Sequence, residues 1–102
     1  MIRGTTPTIR MVLPSDVPVN SVTESVFSIS QNEAEVVTKT LKDMSKDPDS
    51  NVLEVKLSQE DTLKLSDDKV AEMQLKVKID GDVFVSDIIV TPVERILNDE
   101  VI

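Results

Sequence analysis

Val70–Val90, VAEMQLKVKIDGDVFVSDIIV, decides the fold. Ala71, Met73, Leu75, Val77 and Ile79 alternate with Glu72, Gln74, Lys76 and Lys78, the period-2 pattern of a strand with one wet face. A second apolar run follows Asp80-Gly81. That dipeptide predicts a tight hairpin, because a type I′ turn needs positive φ at both central positions, which Asp tolerates and Gly adopts freely. With Asp80 and Gly81 as the turn, Ile79 faces Asp82, and the register continues Val77 with Phe84, Leu75 with Ser86, Met73 with Ile88 and Ala71 with Val90. Met73, Leu75, Val77, Phe84, Ile88 and Val90 are then expected to make the core face. The other face carries Val83, Val85 and Ile89 beside Lys76, Lys78 and Glu72. Those apolar residues are either covered by lysine stems or form a protein interface.

Working outward, 102 residues suffice for one domain with one modest core, residues 1–102. Phe27 and Phe84 are the only aromatic residues, so Val, Ile, Leu and Met must fill the interior. The balance of 19 acidic against 11 basic residues, with no His, gives a formal charge of −8. Such a surface repels phosphate backbones and anionic headgroups, which argues against nucleic-acid and membrane-surface binding and favours a basic protein partner. The chain has no cysteine, hence no disulfide framework, thiolate nucleophile or cysteine zinc site. No basic-then-apolar leader and no apolar run near the ~20 residues of a membrane helix is present, so the chain reads as a soluble, cytosolically made product.

Upstream, Met1–Pro7 (MIRGTTP) reads as an extended or flexible arm able to pack on a neighbour. Thr8–Leu13 alternates as a first strand, and Pro14–Asn20 as a crossing loop. Ser21–Ser30 predicts a strand burying Phe27 and Ile29. Two readings compete for the next segment. Ala34, Val37, Leu41 and Met44 fall at helical spacing behind a Ser30/Glu33 capping box, which allows a helix over 31–46. The β-branched cluster Val36-Val37-Thr38 with Thr40 instead favours a hairpin turning at Gln31–Ala34 into a strand over Glu35–Leu41. Lys42–Asn51 reads as a polar loop and Val52–Leu57 as a strand. Ser58 can cap a single helical turn whose positive end Asp61 favours, and Leu63 and Leu65 plug that turn into the core.

Beyond the hairpin, Thr91-Pro92-Val93-Glu94 has the residues of a helix start, predicting a short C-terminal helix, with Asn98–Ile102 as a tail ending in apolar Val101 and Ile102. The sum is an all-β antiparallel sandwich of about six to seven strands.

Chemical equipment is sparse. Asp47, Asp49 and Asn51 place oxygen ligands at every second residue, like the first half of a calcium loop. Val52 stands where that loop needs Gly, and Ser58 where it needs the bidentate Glu, so a solvated loop explains these residues more simply. Without His or Cys, nucleophilic catalysis would need a Ser–Lys pair that nothing marks out. With Gly4 and Gly81 alone there is no phosphate-cradling loop. The sequence is expected to be non-enzymatic and to use no cofactor, with Val83, Val85, Ile89, Val101 and Ile102 as interface candidates.

The opening MIRGTTPTI, the corner LSQEDTLKL (Leu57–Leu65) and the ending SDIIVTPVERILNDEVI together resemble a family of small structural proteins of phages and prophages of Gram-positive bacteria. The arrangement is similar to the immunoglobulin-like N-terminal domains of upper baseplate and tail proteins. The resemblance implies an immunoglobulin-like sandwich and strand rather than helix over Glu35–Leu41. It also implies a place in a virion, with the arm at 1–7 and the tail at 98–102 contacting neighbouring subunits or copies. Such a product is expected in the host cytoplasm during assembly and then in the particle. An acidic inhibitor of a host defence or nucleic-acid enzyme, filling a basic groove with its −8 charge, is the alternative from another class.

Overall fold

The Asp80-Gly81 turn is the pivot of the larger of two antiparallel sheets. The computed structural model describes residues 1–102. Eight strands form in chain order: β1 Thr8–Val12, β2 Glu24–Gln31, β3 Ala34–Thr40, β4 Met44–Asp47, β5 Val52–Lys56, β6 Ala71–Ile79, β7 Asp82–Val85 and β8 Ile89–Thr91. One short helix, α1 Gln59–Leu63, joins β5 to β6. The small sheet has the order β1-β5-β4. The large one runs β3-β2-β6-β7, with β8 also on β6. Hairpins β2–β3, β4–β5 and β6–β7 stay within a sheet, while the connections β1–β2, β3–β4 and β5–β6 cross between sheets. The shortest dimension, 18 Å, suits two layers about 10 Å apart with their outer side chains.

Alternation fixes which faces meet. Phe27 and Ile29 on β2, Leu75 and Val77 on β6, and Leu53 and Val55 on β5 share one buried cluster. Each of the fully buried aliphatic side chains contributes about 1.5–3 kcal/mol of apolar burial. The 14–22 loop does more than cross: Val17, Val19 and Val22 are buried in the same cluster. Asn51, at φ 55°, holds that loop in place. Its Nδ2 lies 3.0–3.2 Å from the carbonyls of Leu13, Pro14 and Val17, and Oδ1 accepts from Val19 N at 2.8 Å. Buried Gln31 does the same for the 66–69 loop, donating to the Ser66 and Lys69 carbonyls and accepting from Ser66 N.

No α-helix forms over residues 31–46: strand fills Ala34–Thr40 and Met44–Asp47, and a single 3-10 turn, Leu41–Asp43, joins them. β2 turns through Asn32 and Glu33, both at positive φ, into β3, and Ile29 pairs with Val37. The β-branched cluster gains a pleated, half-buried surface that a lone helix would lack. Met44–Asp47, expected as loop, is instead the edge strand β4 on β5. At the corner, Ser58 caps α1 as the sequence predicts, and Asp61, expected only to favour the positive end of the turn, also accepts from Ser58 N.

Two further expectations fail. No C-terminal helix forms: Thr91 ends β8 opposite Ala71, and Glu94 N donates to Met1 O at 2.7 Å while Arg3 N donates to Glu94 O. The local helix signal loses because distant segments have already engaged this backbone. The arm at 1–7 is thus hydrogen-bonded within its own chain, and the Arg3 guanidinium also donates to Leu63 O at the end of α1 and to Leu65 O just beyond it. Gly4 is needed there, since its φ is 76° and an added Cβ would sit 3.2 Å from Ile96 Cδ1. The second failure is the hairpin register. It runs as predicted from Ile79–Asp82 to Lys76–Val85, and Ser86 N still donates to Leu75 O. It then slips by one residue, so Met73 faces Ile89 and Glu72 faces Val90.

Candidate functional site

That slip rearranges the side chains on which a surface would be built. Ile89, expected outside, shares the inward side with Met73, whereas Ile88 and Val90 lose their place in the core face. No residue from Asp80 to Val90 is buried. Phe84 and Ile89 point to the inner side of the large sheet, yet remain 41% and 59% exposed. The cause is width: nothing in the three-stranded sheet reaches over β7 and β8. The assignment of Phe84, Ile88 and Val90 to the core is therefore corrected.

The overhang creates a groove of about 710 Å³ between β1 and β7, mostly apolar in lining. Met11 and Leu13 form one wall, Leu75 and Val77 the deep side, Phe84 and Ile89 the uncovered floor. Val83 and Val85 lie on its rim and, as expected, on the outer face opposite Lys78 and Lys76. The structure thus brings together Val83, Val85 and Ile89 from the sequence candidates. Val101 and Ile102 lie apart, at a shallow hollow of about 450 Å³ beside α1, where Ile102 N donates to Gln59 Oε1 at 2.8 Å.

The sandwich has a second seam, between β3 and β4, and it is built differently. Lys39 stands opposite Phe27 and Lys46 opposite Leu53, both core residues, so each lysine projects from the inward face of an edge strand. Lys39 Nζ reaches Asp61 Oδ2, and Lys46 Nζ donates to Val22 O at 3.0 Å. Inward charges of this kind prevent an edge from accepting another strand. On the β1–β7 side the corresponding inward residues are Ile9, Met11 and Phe84, with Asp82 opposite Ile79 at the turn end of β7. One seam is closed by lysines and the other is apolar except at that end.

The oxygen-rich loop does not gather into a cage. Asn51 commits its amide to the 13–19 backbone. Asp47 accepts from Ser50 N and lies 3.7 Å from Arg10, which also pairs with Glu54, and Asp49 is exposed. No group of three or more His, Cys, Asp or Glu side chains is placed to hold a metal ion. No helix is long and apolar enough to cross a membrane. Neither a protein-family description nor a curated protein matches this sequence.

The groove floor is what sequence reasoning missed. Phe84 is read as core from its alternation alone, and its exposure depends on the width of the opposite sheet. The one available signal was the ending of β7 on Ser86-Asp87, two polar residues that interrupt an apolar strand.

Proposed function

We propose that this chain is a non-enzymatic structural or accessory module of a phage particle, acting through protein contacts along the β1–β7 seam. The observation that carries the reading is the contrast between the two seams. A monomer that only needed to stay soluble would blunt both edges, whereas here one side has inward lysines and the other presents Phe84, Ile89, Val83 and Val85 to solvent. A finer fold assignment fits the same picture. The order β1-β5-β4 facing β3-β2-β6-β7 corresponds to B-E-D facing C′-C-F-G of an immunoglobulin-like sandwich, with no strand in the A position beside β1. The resemblance of MIRGTTPTI, LSQEDTLKL and SDIIVTPVERILNDEVI to phage structural proteins supplies the setting: other virion subunits or further copies as partners, the host cytoplasm during assembly, then the particle.

The test is mass spectrometry of purified particles produced with the gene in its native setting, comparing the natural chain with Val85→Lys. The chain is expected at a fixed ratio to the other particle proteins, and the variant at a much reduced one. Absence of the natural chain from intact particles would reject this function.

A further inference from the structure

We propose that the groove receives a β-strand donated by another protein, laid along the free edge of β1 as a fourth strand of the small sheet. This rests on the reading that the seam is the working surface, and it specifies what fills it.

The backbone of β1 is set out for such a strand. Leu13 N donates to Asn51 O and Leu57 N donates to Pro7 O, both at 2.9 Å. Those bonds fix the ladder phase, because antiparallel pairs alternate between bonded and non-bonded positions. Ile9, Met11 and Leu13 therefore turn their amides and carbonyls toward β5. Thr8, Arg10 and Val12 turn theirs outward, where β1 has no neighbour.

Side chains follow from the same phase. On an added antiparallel strand, residues across from Ile9 and Met11 would point inward, over Phe84 and Ile89. Residues across from Thr8, Arg10 and Val12 would face solvent. One strand spacing, about 4.8 Å, is the width by which the small sheet falls short. A small polar ligand fits less well. Of the polar groups in the lining, Arg10 is paired with Glu54 and Gln74 donates to Ser86 O, so few free groups converge on any point.

Charge selects the donor. Two copies pairing β1 with β1 about its centre would set Arg10 opposite Arg10, and any self-association brings together two chains of −8. Asp87 lines the groove without an ion-pair partner, and Asp82 is the first residue of β7. The complementary segment is extended, apolar at every second residue, free of proline, and carries Lys or Arg at its ends. Such strand addition obtains affinity from main-chain bonds and specificity from alternate side chains.

The probe is a peptide of about nine residues, alternating Val and Thr between terminal lysines, titrated calorimetrically into the full chain. Its control has the same composition with the valines consecutive. Val12→Pro removes only an outward amide, at an edge position where proline is tolerated. The alternating peptide is expected to bind, with affinity falling about tenfold or more for the control and for Val12→Pro. Amide exchange at Arg10 and Val12 of the natural chain is expected to slow by a similar factor on binding, a readout that holds even if Val12→Pro misfolds. Equal binding of both peptides, unchanged exchange, or no binding near ~1 mM peptide would overturn the proposal. So would a dimer, seen by sedimentation, that occupies β1 and excludes the peptide. Presence in particles without peptide binding rejects the strand and keeps the particle role; binding without presence in particles rejects the role and keeps the strand site.

Discussion

Lys39 Nζ lies 2.8 Å from Asp61 Oδ2, joining the edge of β3 to the first turn of α1. Asp61 also accepts from Ser58 N at 2.9 Å. Burial works to raise its carboxyl pKa, but the hydrogen bonds from Lys39 and Ser58 outweigh it and hold the group below the ordinary aspartate value. A carboxyl depressed in the folded state contributes stability that is fully present above its unfolded pKa, about 3.9, and lost as pH falls through the lower folded value. Asp61→Asn is expected to lower stability by about 1–2 kcal/mol at neutral pH, since it leaves Lys39 unpaired. Urea midpoints measured from pH 7 downward should show the difference from the natural chain shrinking below about pH 4.

Asn51 is expected to be among the most sensitive polar residues. Asn51→Ala places a Cβ-bearing residue without a compensating side chain at φ 55°, a cost of about 1–2 kcal/mol. It also leaves Val19 N and the loop carbonyls unsatisfied, for a total of about 2–4 kcal/mol by chemical denaturation. Asn51→Gly, which relieves the backbone but not the lost bonds, should fall between. Adding millimolar calcium should leave the melting temperature of the natural chain unchanged, because the Asn51 amide is already occupied.

Val77 and Val85 separate folding from contact. Val77 is buried in the core cluster, so Val77→Asp introduces an unpaired charge and should abolish the cooperative unfolding transition. Val85→Lys, on an exposed edge, should change stability by no more than about 0.5 kcal/mol. Far-UV circular dichroism with thermal melts distinguishes the two. If Val85→Lys also unfolds, the outer face of β7 is structural.

Short-range chemistry was readable wherever neighbouring residues decide the outcome: the Asp80-Gly81 turn, the Ser58 cap, the alternation of β6, the β-branched residues of β3. Elements set by remote partners were not. Ile88-Ile89-Val90 offers an apolar residue at each successive position, so either register turns one of them inward and pattern cannot choose between them. Met44–Asp47 is a polar edge strand with no alternation to detect, held by β5. Thr91–Glu94 has good capping chemistry, overridden by Ala71 and Met1 from elsewhere in the chain. The groove itself depends on one sheet being narrower than the other, a property of the assembled fold rather than of any segment.

The inward lysines Lys39 and Lys46 also set a valency. A unit that adds strands at both flanks must present an open edge at each. Here the β3–β4 flank is barred by charge, so under the proposed strand addition β1 would take up one strand and the opposite flank would accept none.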